Sequence, residues 1–168
     1  MSERRVVVTG LGMVSPVGVT FEKSWENILA GKSGIQPITH FPIDDFTTRF
    51  GGPIYDFDHE PYFTKKDLKK MDPFQWYGIA AGMDALDDSG LEVSDQNAKR
   101  IGVAIGSGIG GVTGIETGYA AYLKGGPRKI SPFFVPANII NMVAGNLSIW
   151  RGLKGPNISI VSACSTGA

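Results

Sequence analysis

Cysteine is almost missing from this sequence: Cys164 is the only one in 168 residues. One thiol forms no internal disulfide and suits a reducing compartment. Histidine is nearly as scarce, with only His40 and His59 available as base partners for a thiol. Net charge is absent too, because 16 Lys and Arg balance 16 Asp and Glu. Such a chain exerts no global pull on nucleic acid or on an anionic membrane. No apolar run spans a bilayer. The start, Met1-Ser2-Glu3-Arg4-Arg5, leads into apolar residues interrupted by Gly10, Gly12, Ser15 and Pro16, which makes a poor signal peptide. These features predict a cytoplasmic protein. What is present is a hydrophobic content of 42%, enough for one domain with a sizeable core, and 23 glycines, which imply tight turns and close backbone packing.

The chain alternates between strand and helix signals. Val6-Val7-Val8-Thr9 is a β-branched run that predicts a strand buried on both faces. Thr20 is placed to cap a helix, with Glu22 in its first turn and Phe21, Trp25, Ile28 and Leu29 on one face. Residues 35–63 lack a period and predict an excursion over the surface. A helical stretch begins at Thr64 and continues to Asp88, where Ser89-Gly90 stops it. Ile101-Gly102-Val103-Ala104-Ile105 predicts a second buried strand, followed by a glycine-rich loop and a helix to about Leu123. Ser131-Pro132 opens a further helix that Gly152 ends, and residues 157–163 form the last strand. The order predicts an α/β fold with a mostly parallel sheet flanked by helices, and no internal repeat.

Three features carry chemistry. Gly106-Ser107-Gly108-Ile109-Gly110-Gly111 fits the G-x-G-x-x-G pattern after a strand, but no acidic residue ends a second strand about twenty residues on. The glycines are therefore read as allowing backbones to approach closely. Asn157-Ile158-Ser159-Ile160-Val161 leads into Ser162-Ala163-Cys164-Ser165-Thr166-Gly167-Ala168, an apolar strand that turns at a nucleophile among small residues. That is the layout of a nucleophile elbow. A lone cysteine is commonly a buried inert thiol. A helix starting at the elbow would instead favour the thiolate as an acyl acceptor, and backbone N–H groups at the turn would hold an oxyanion. His40 and His59 lie in the irregular excursion and read as surface or packing residues. Third, Lys65, Lys66, Lys69 and Lys70 crowd six residues, and the helical spacing puts Lys66, Lys69 and Lys70 on one face. Arg128 and Lys129 form a second basic pair. A solvated face is the plain reading, and a compact acidic protein partner fits better than nucleic acid.

Together these segments resemble the N-terminal part of the elongating β-ketoacyl-acyl-carrier-protein synthases of type II. The residues that carry the resemblance are Arg4-Arg5-Val6-Val7-Val8-Thr9-Gly10-Leu11-Gly12, Ile105 to Gly111, Gly126 to Pro136, and Ala163-Cys164-Ser165-Thr166-Gly167. The resemblance implies a thiolase-like fold for residues 1–168, a homodimer, and decarboxylative condensation without cofactor or metal. It implies that Cys164 accepts the acyl group and that Ile109 and Phe134 line the acyl pocket. It implies that Lys66, Lys69, Lys70, Arg128 and Lys129 dock acyl carrier protein. The family's catalytic histidines belong to a C-terminal half that follows the elbow, and neither His40 nor His59 matches them. The segment alone is accordingly expected to be inactive and poorly stable. The alternatives are a related polyketide ketosynthase and a non-catalytic fragment that dimerises or binds carrier protein.

Overall fold

A computed structural model describes residues 4–167; Met1, Ser2, Glu3 and Ala168, the last residue of the elbow motif, lie outside the described residues. The first helix is α1, Phe21–Leu29. It starts where the sequence predicts, with the Thr20 hydroxyl accepting from the Lys23 N–H at 3.2 Å and Glu22 in the first turn. Its apolar face is not part of the core: Trp25 and Leu29 are exposed, and the buried residue is Ser24, whose hydroxyl donates to the Gly18 carbonyl. The excursion contains a small antiparallel ribbon, β1 (Gln36–Pro37) and β2 (Phe50–Gly51), which the sequence did not announce.

The helical stretch from Thr64 is two helices. α2, Lys65–Leu68, is held by a capping box between Thr64 and Asp67. α3, Pro73–Asp88, begins afresh at an Asp72 N-cap with Pro73 in the first turn, because proline donates no N–H that would continue α2. β3 (Val103–Ala104) comes next, then α4 (Val112–Gly125), α5 (Phe134–Asn138), α6 (Met142–Arg151) and β4 (Asn157–Ile158). The single helix expected after Ser131 is therefore broken in two. Its start shifts past Pro132, and the extended Ile139 separates α5 from α6. Gly152, left-handed at φ 69°, ends α6 as expected.

β3 and β4 pair in parallel, with Val103 opposite Asn157 and Ala104 opposite Ile158. The strands predicted over residues 101–105 and 157–163 are thus much shorter, and burial on both faces does not hold: Val103 is buried while Ala104 and Ile158 are exposed. Residues 6–9 form no strand, and Val6 is 92% exposed. A strand exists through its ladder, and no strand pairs with residues 6–9 among the described residues. The core lies between α3 and α6. Ile79, Ala80, Val143 and Ala144 are at most 1% exposed, with Phe57, Phe63 and Met71 closing one side and Val103, Leu147 and Leu153 the other.

Candidate active site

β4 delivers the chain to Cys164 through residues 159–162, and a 3-10 turn, Ala163–Ser165, carries the thiol. Ala163 is the one non-glycine residue with positive φ among the described residues, at 50°. Left-handed backbone at a residue with a Cβ is strained. The strain falls on the residue just before the nucleophile, as a sharp elbow requires. Local bonds hold the turn. The Thr166 hydroxyl donates to the Ala163 carbonyl at 2.7 Å and accepts from the Ser162 N–H at 3.0 Å, and the Ser165 and Thr166 N–H groups donate to Ser162 and Ala163. Cys164 is exposed rather than buried, so the inert-thiol reading does not describe it. The 3-10 turn is the helical element at the elbow among the described residues.

The glycine-rich loop lies directly against this elbow. A Cβ on Gly106 would overlap the Ile160 carbonyl and the Thr166 methyl, and Gly108 faces the Ala163 carbonyl. The close-approach reading of these glycines therefore holds. Ser159 reinforces the junction, its hydroxyl donating to the Ile105 carbonyl at 2.7 Å. At its far end the loop meets α5: the Gly111 N–H donates to the Asn138 carbonyl at 3.0 Å, and the Asn138 side chain fills the space a Cβ on Gly114 would take.

The other residues singled out from the sequence fall into separate groups. Ile109, on the loop, is 75% exposed. Phe134 is half-buried, with its ring against Gly118 of α4, and lines a cleft of about 390 Å³ together with Trp76, Thr117 and Ala121. Ile109 does not line that cleft. Lys69 and Lys129 both line this cleft, which brings the two basic segments to one site. Lys70 turns towards α5, its Nζ 5.4 Å from the centre of the Phe133 ring. Lys66 and Arg128 are exposed, and none of these five cations joins an ion pair among the described residues. Asp67, beside them, is committed to its capping box, where the Thr64 hydroxyl holds its carboxyl below the usual carboxylate range.

The histidines are not brought to Cys164. His40 is exposed, edge-on to Phe41, with Nδ1 3.4 Å from the Tyr55 hydroxyl. His59 packs between Phe57 and Trp76, and its buried Nε2 has no hydrogen-bond partner among the described residues. His40 is thus a surface residue and His59 a packing residue, the two roles the sequence reading gave them. No group of three potential metal ligands occurs among the described residues, and no helix there is long and apolar enough to cross a membrane. Sequence reasoning missed Asp72, Gln75 and Asn138, three buried polar residues where α3, α4 and α5 meet. The Asp72-Pro73 pair carried an N-cap signal, whereas the inward turn of Gln75 and Asn138 had none.

A strained cysteine turn at the end of a parallel strand, backed by a glycine loop and flanked by helices, defines a thiolase-like condensing-enzyme architecture. Solved ketosynthases share it. The ishigamide ketosynthase/chain length factor superposes with a TM-score of 0.84 at 25% identity, covering 95% of this chain and 40% of that one. A type II polyketide ketosynthase in complex with its acyl-carrier protein gives 0.72 at 25% identity, covering 94% of this chain and 41% of that one. The model for the β-ketoacyl synthase N-terminal domain matches residues 3–168, and the chain belongs to that family. A 3-oxoacyl-(acyl-carrier-protein) synthase 2 from Vibrio cholerae serotype O1 is 65% identical over 167 residues. This chain spans about 40% of the length of that relative.

Proposed function

We propose that residues 1–168 are the N-terminal thiolase-like region of a longer 3-oxoacyl-(acyl-carrier-protein) synthase, and that Cys164 is its acyl acceptor. In the first half-reaction Sγ attacks the thioester carbonyl of an acyl-carrier protein. The carrier thiol leaves and an acyl–Cys164 thioester remains. In the second, malonyl-carrier protein loses carbon dioxide, and the resulting carbanion attacks the acyl carbonyl. Collapse expels the Cys164 thiolate and releases a 3-oxoacyl-carrier protein two carbons longer. Atoms balance without a redox cofactor or a metal. The observation that carries this reading is the exposed thiol on a strained turn against the glycine loop, in a chain of this family.

The remaining elements take supporting roles. Ile109 and Phe134 bound the acyl chain, for which each buried methylene contributes about 0.8 kcal/mol. They occupy separate places in one chain, which fits a pocket completed by the second copy of a homodimer. Lys66, Lys69, Lys70, Arg128 and Lys129 dock the acidic carrier protein in the cytoplasm. The test is acylation of the complete enzyme with one equivalent of acyl-carrier protein, followed by peptide mapping. The acyl group should sit on Cys164 alone, and Cys164→Ala should abolish condensation. An acyl group on another residue, or normal turnover by the variant, overturns the assignment. A polyketide substrate is the second reading, favoured by the ketosynthases that share the fold, and turnover of defined fatty acyl primers against 3-oxoacyl primers separates the two.

A further inference from the structure

The two residues read as acyl-pocket walls hang from one buried polar junction. Asp72 is 7% exposed and Gln75 is fully buried, both at the start of α3. The Asp72 carboxylate serves two helices at once. Oδ1 accepts the Phe74 N–H of α3 at 3.3 Å, and Oδ2 accepts the Gly114 N–H in the first turn of α4 at 2.6 Å. The Asp72 N–H also reaches the Ala137 carbonyl of α5 at 3.4 Å. Asp72 and Gln75 have the spacing of a capping box, in which the glutamine would reach back to the cap. Gln75 instead donates Nε2 to the Pro136 and Ala137 carbonyls at 2.9 and 2.8 Å, and Asn146 Nδ2 donates to its Oε1 at 3.0 Å, which fixes the amide.

This arrangement decides where α5 lies. A helix of five residues does not persist on its own, and its last carbonyls need partners from outside. Gln75 supplies them for Pro136 and Ala137, and the Gly111 N–H supplies one for Asn138. α5 carries Phe134. The turn fixed through Gly114 is the one that ends the loop carrying Ile109. Asp72 and Gln75 therefore fix, from a single point, both the turn that ends the loop of Ile109 and the helix that carries Phe134, and none of their hydrogen bonds among the described residues reaches the Cys164 elbow.

We propose that Asp72 and Gln75 are positioning residues for acyl-chain-length specificity. The inference rests on the reading that Ile109 and Phe134 bound the acyl chain. A long primer must pass both walls, whereas a short primer does not reach them. Displacing one wall should therefore penalise long chains selectively. The test uses the complete enzyme with Asp72→Asn, which keeps the shape but surrenders one of the two acceptors, and Gln75→Met, which keeps the length but removes both donors. kcat/KM is measured for short and long acyl-carrier primers, with the alkylation rate of Cys164 and the thermal midpoint beside it. The long-to-short ratio should fall about tenfold, equivalent to about 1.4 kcal/mol, while Cys164 alkylation stays within about twofold of the parent. If Gln75→Met does not fold, Asp72→Asn decides. Equal loss for both primers in step with the thermal midpoint overturns the proposal, because that is what a purely structural role produces. Ile109→Phe is run alongside. If it too fails to discriminate by chain length, the pocket reading falls and takes this inference with it. If it discriminates while Asp72→Asn and Gln75→Met do not, the pocket stands and the positioning role is wrong.

Discussion

The edge that carries Cys164 and the helical layer behind it are built on opposite terms. Between α3 and α6, Ile79, Ala80 and Ala144 have no exposed surface and Val143 has 1%. From Ser159 to Gly167 no residue is buried, and Ile160 is 61% exposed. The core holds together by excluding water from apolar surface. The elbow is held by a few bonds within its own turn, plus the backbone of the glycine loop. Chemistry and stability are thus placed in different parts of the chain. An exposed thiol beside a strained residue is free to take the acyl-accepting role proposed for it because little of the fold's stability depends on its surroundings.

The largest effect that would sharpen this contrast is on activity at the elbow. Cys164→Ala should abolish condensation by the complete enzyme, yet shift its unfolding free energy by no more than about 0.5 kcal/mol, as for other exposed substitutions. A large loss of stability would show that the elbow is part of the core after all. The converse experiment is Ile79→Ala, which opens a cavity in a fully buried site. It should cost about 2–5 kcal/mol by denaturant titration, while the folded fraction still acylates Cys164 at the parent rate. Loss of acylation in the folded fraction would show that the two regions are coupled.

A smaller effect concerns the basic residues of the cleft. Lys69 and Lys129 come from segments sixty residues apart and both line it. Changing both to Glu should slow reaction with carrier-bound primers on the order of tenfold at low salt and weaken its salt dependence. Reaction with a small thioester should be unchanged. Equal slowing of both substrates would make these lysines structural instead.

The sequence shows helices well and strands poorly, for a physical reason. A helix closes its own hydrogen bonds, so Thr20 and Gly152 mark ends that the structure keeps. A strand is defined by its neighbour. Val6-Val7-Val8 has strong β character and still forms no ladder among the described residues. Of the candidate site, the turn at Cys164 and the close approach of the loop glycines were legible, because an apolar run that ends in small residues leaves the backbone room to turn sharply. Gln75 and Asn138 were not. Polar residues at helical spacing look the same whether they face water or a neighbouring helix's carbonyls. The inward turn of Gln75 is decided by α5, a segment with no helical period of its own, and that of Asn138, itself on α5, by the space left at Gly111 and Gly114. Motif resemblance supplied the roles of Ile109 and Phe134, which no local pattern would have assigned.

The smallest effect tests how the irregular excursion is tied to the core. The Tyr62 hydroxyl donates to both carboxylate oxygens of Asp84 on α3, each at 3.0 Å. Burial, and then the bond to Asp84, push the tyrosine up to about 12. Burial also raises Asp84, and the Tyr62 bond pulls it partly back. A raised tyrosine favours folding while it is protonated. Its contribution is complete below the ordinary value of about 10 and is lost as pH climbs through about 12. Tyr62→Phe should therefore lower stability by about 1 kcal/mol at pH 8. That deficit should shrink steadily above about pH 10, where the parent begins to lose what the variant never had. Denaturant midpoints of the two proteins from pH 8 to 11 read this directly. A deficit that stayed constant across the range would mean that the phenol is held by packing alone, and that the excursion rests on the core without this bond.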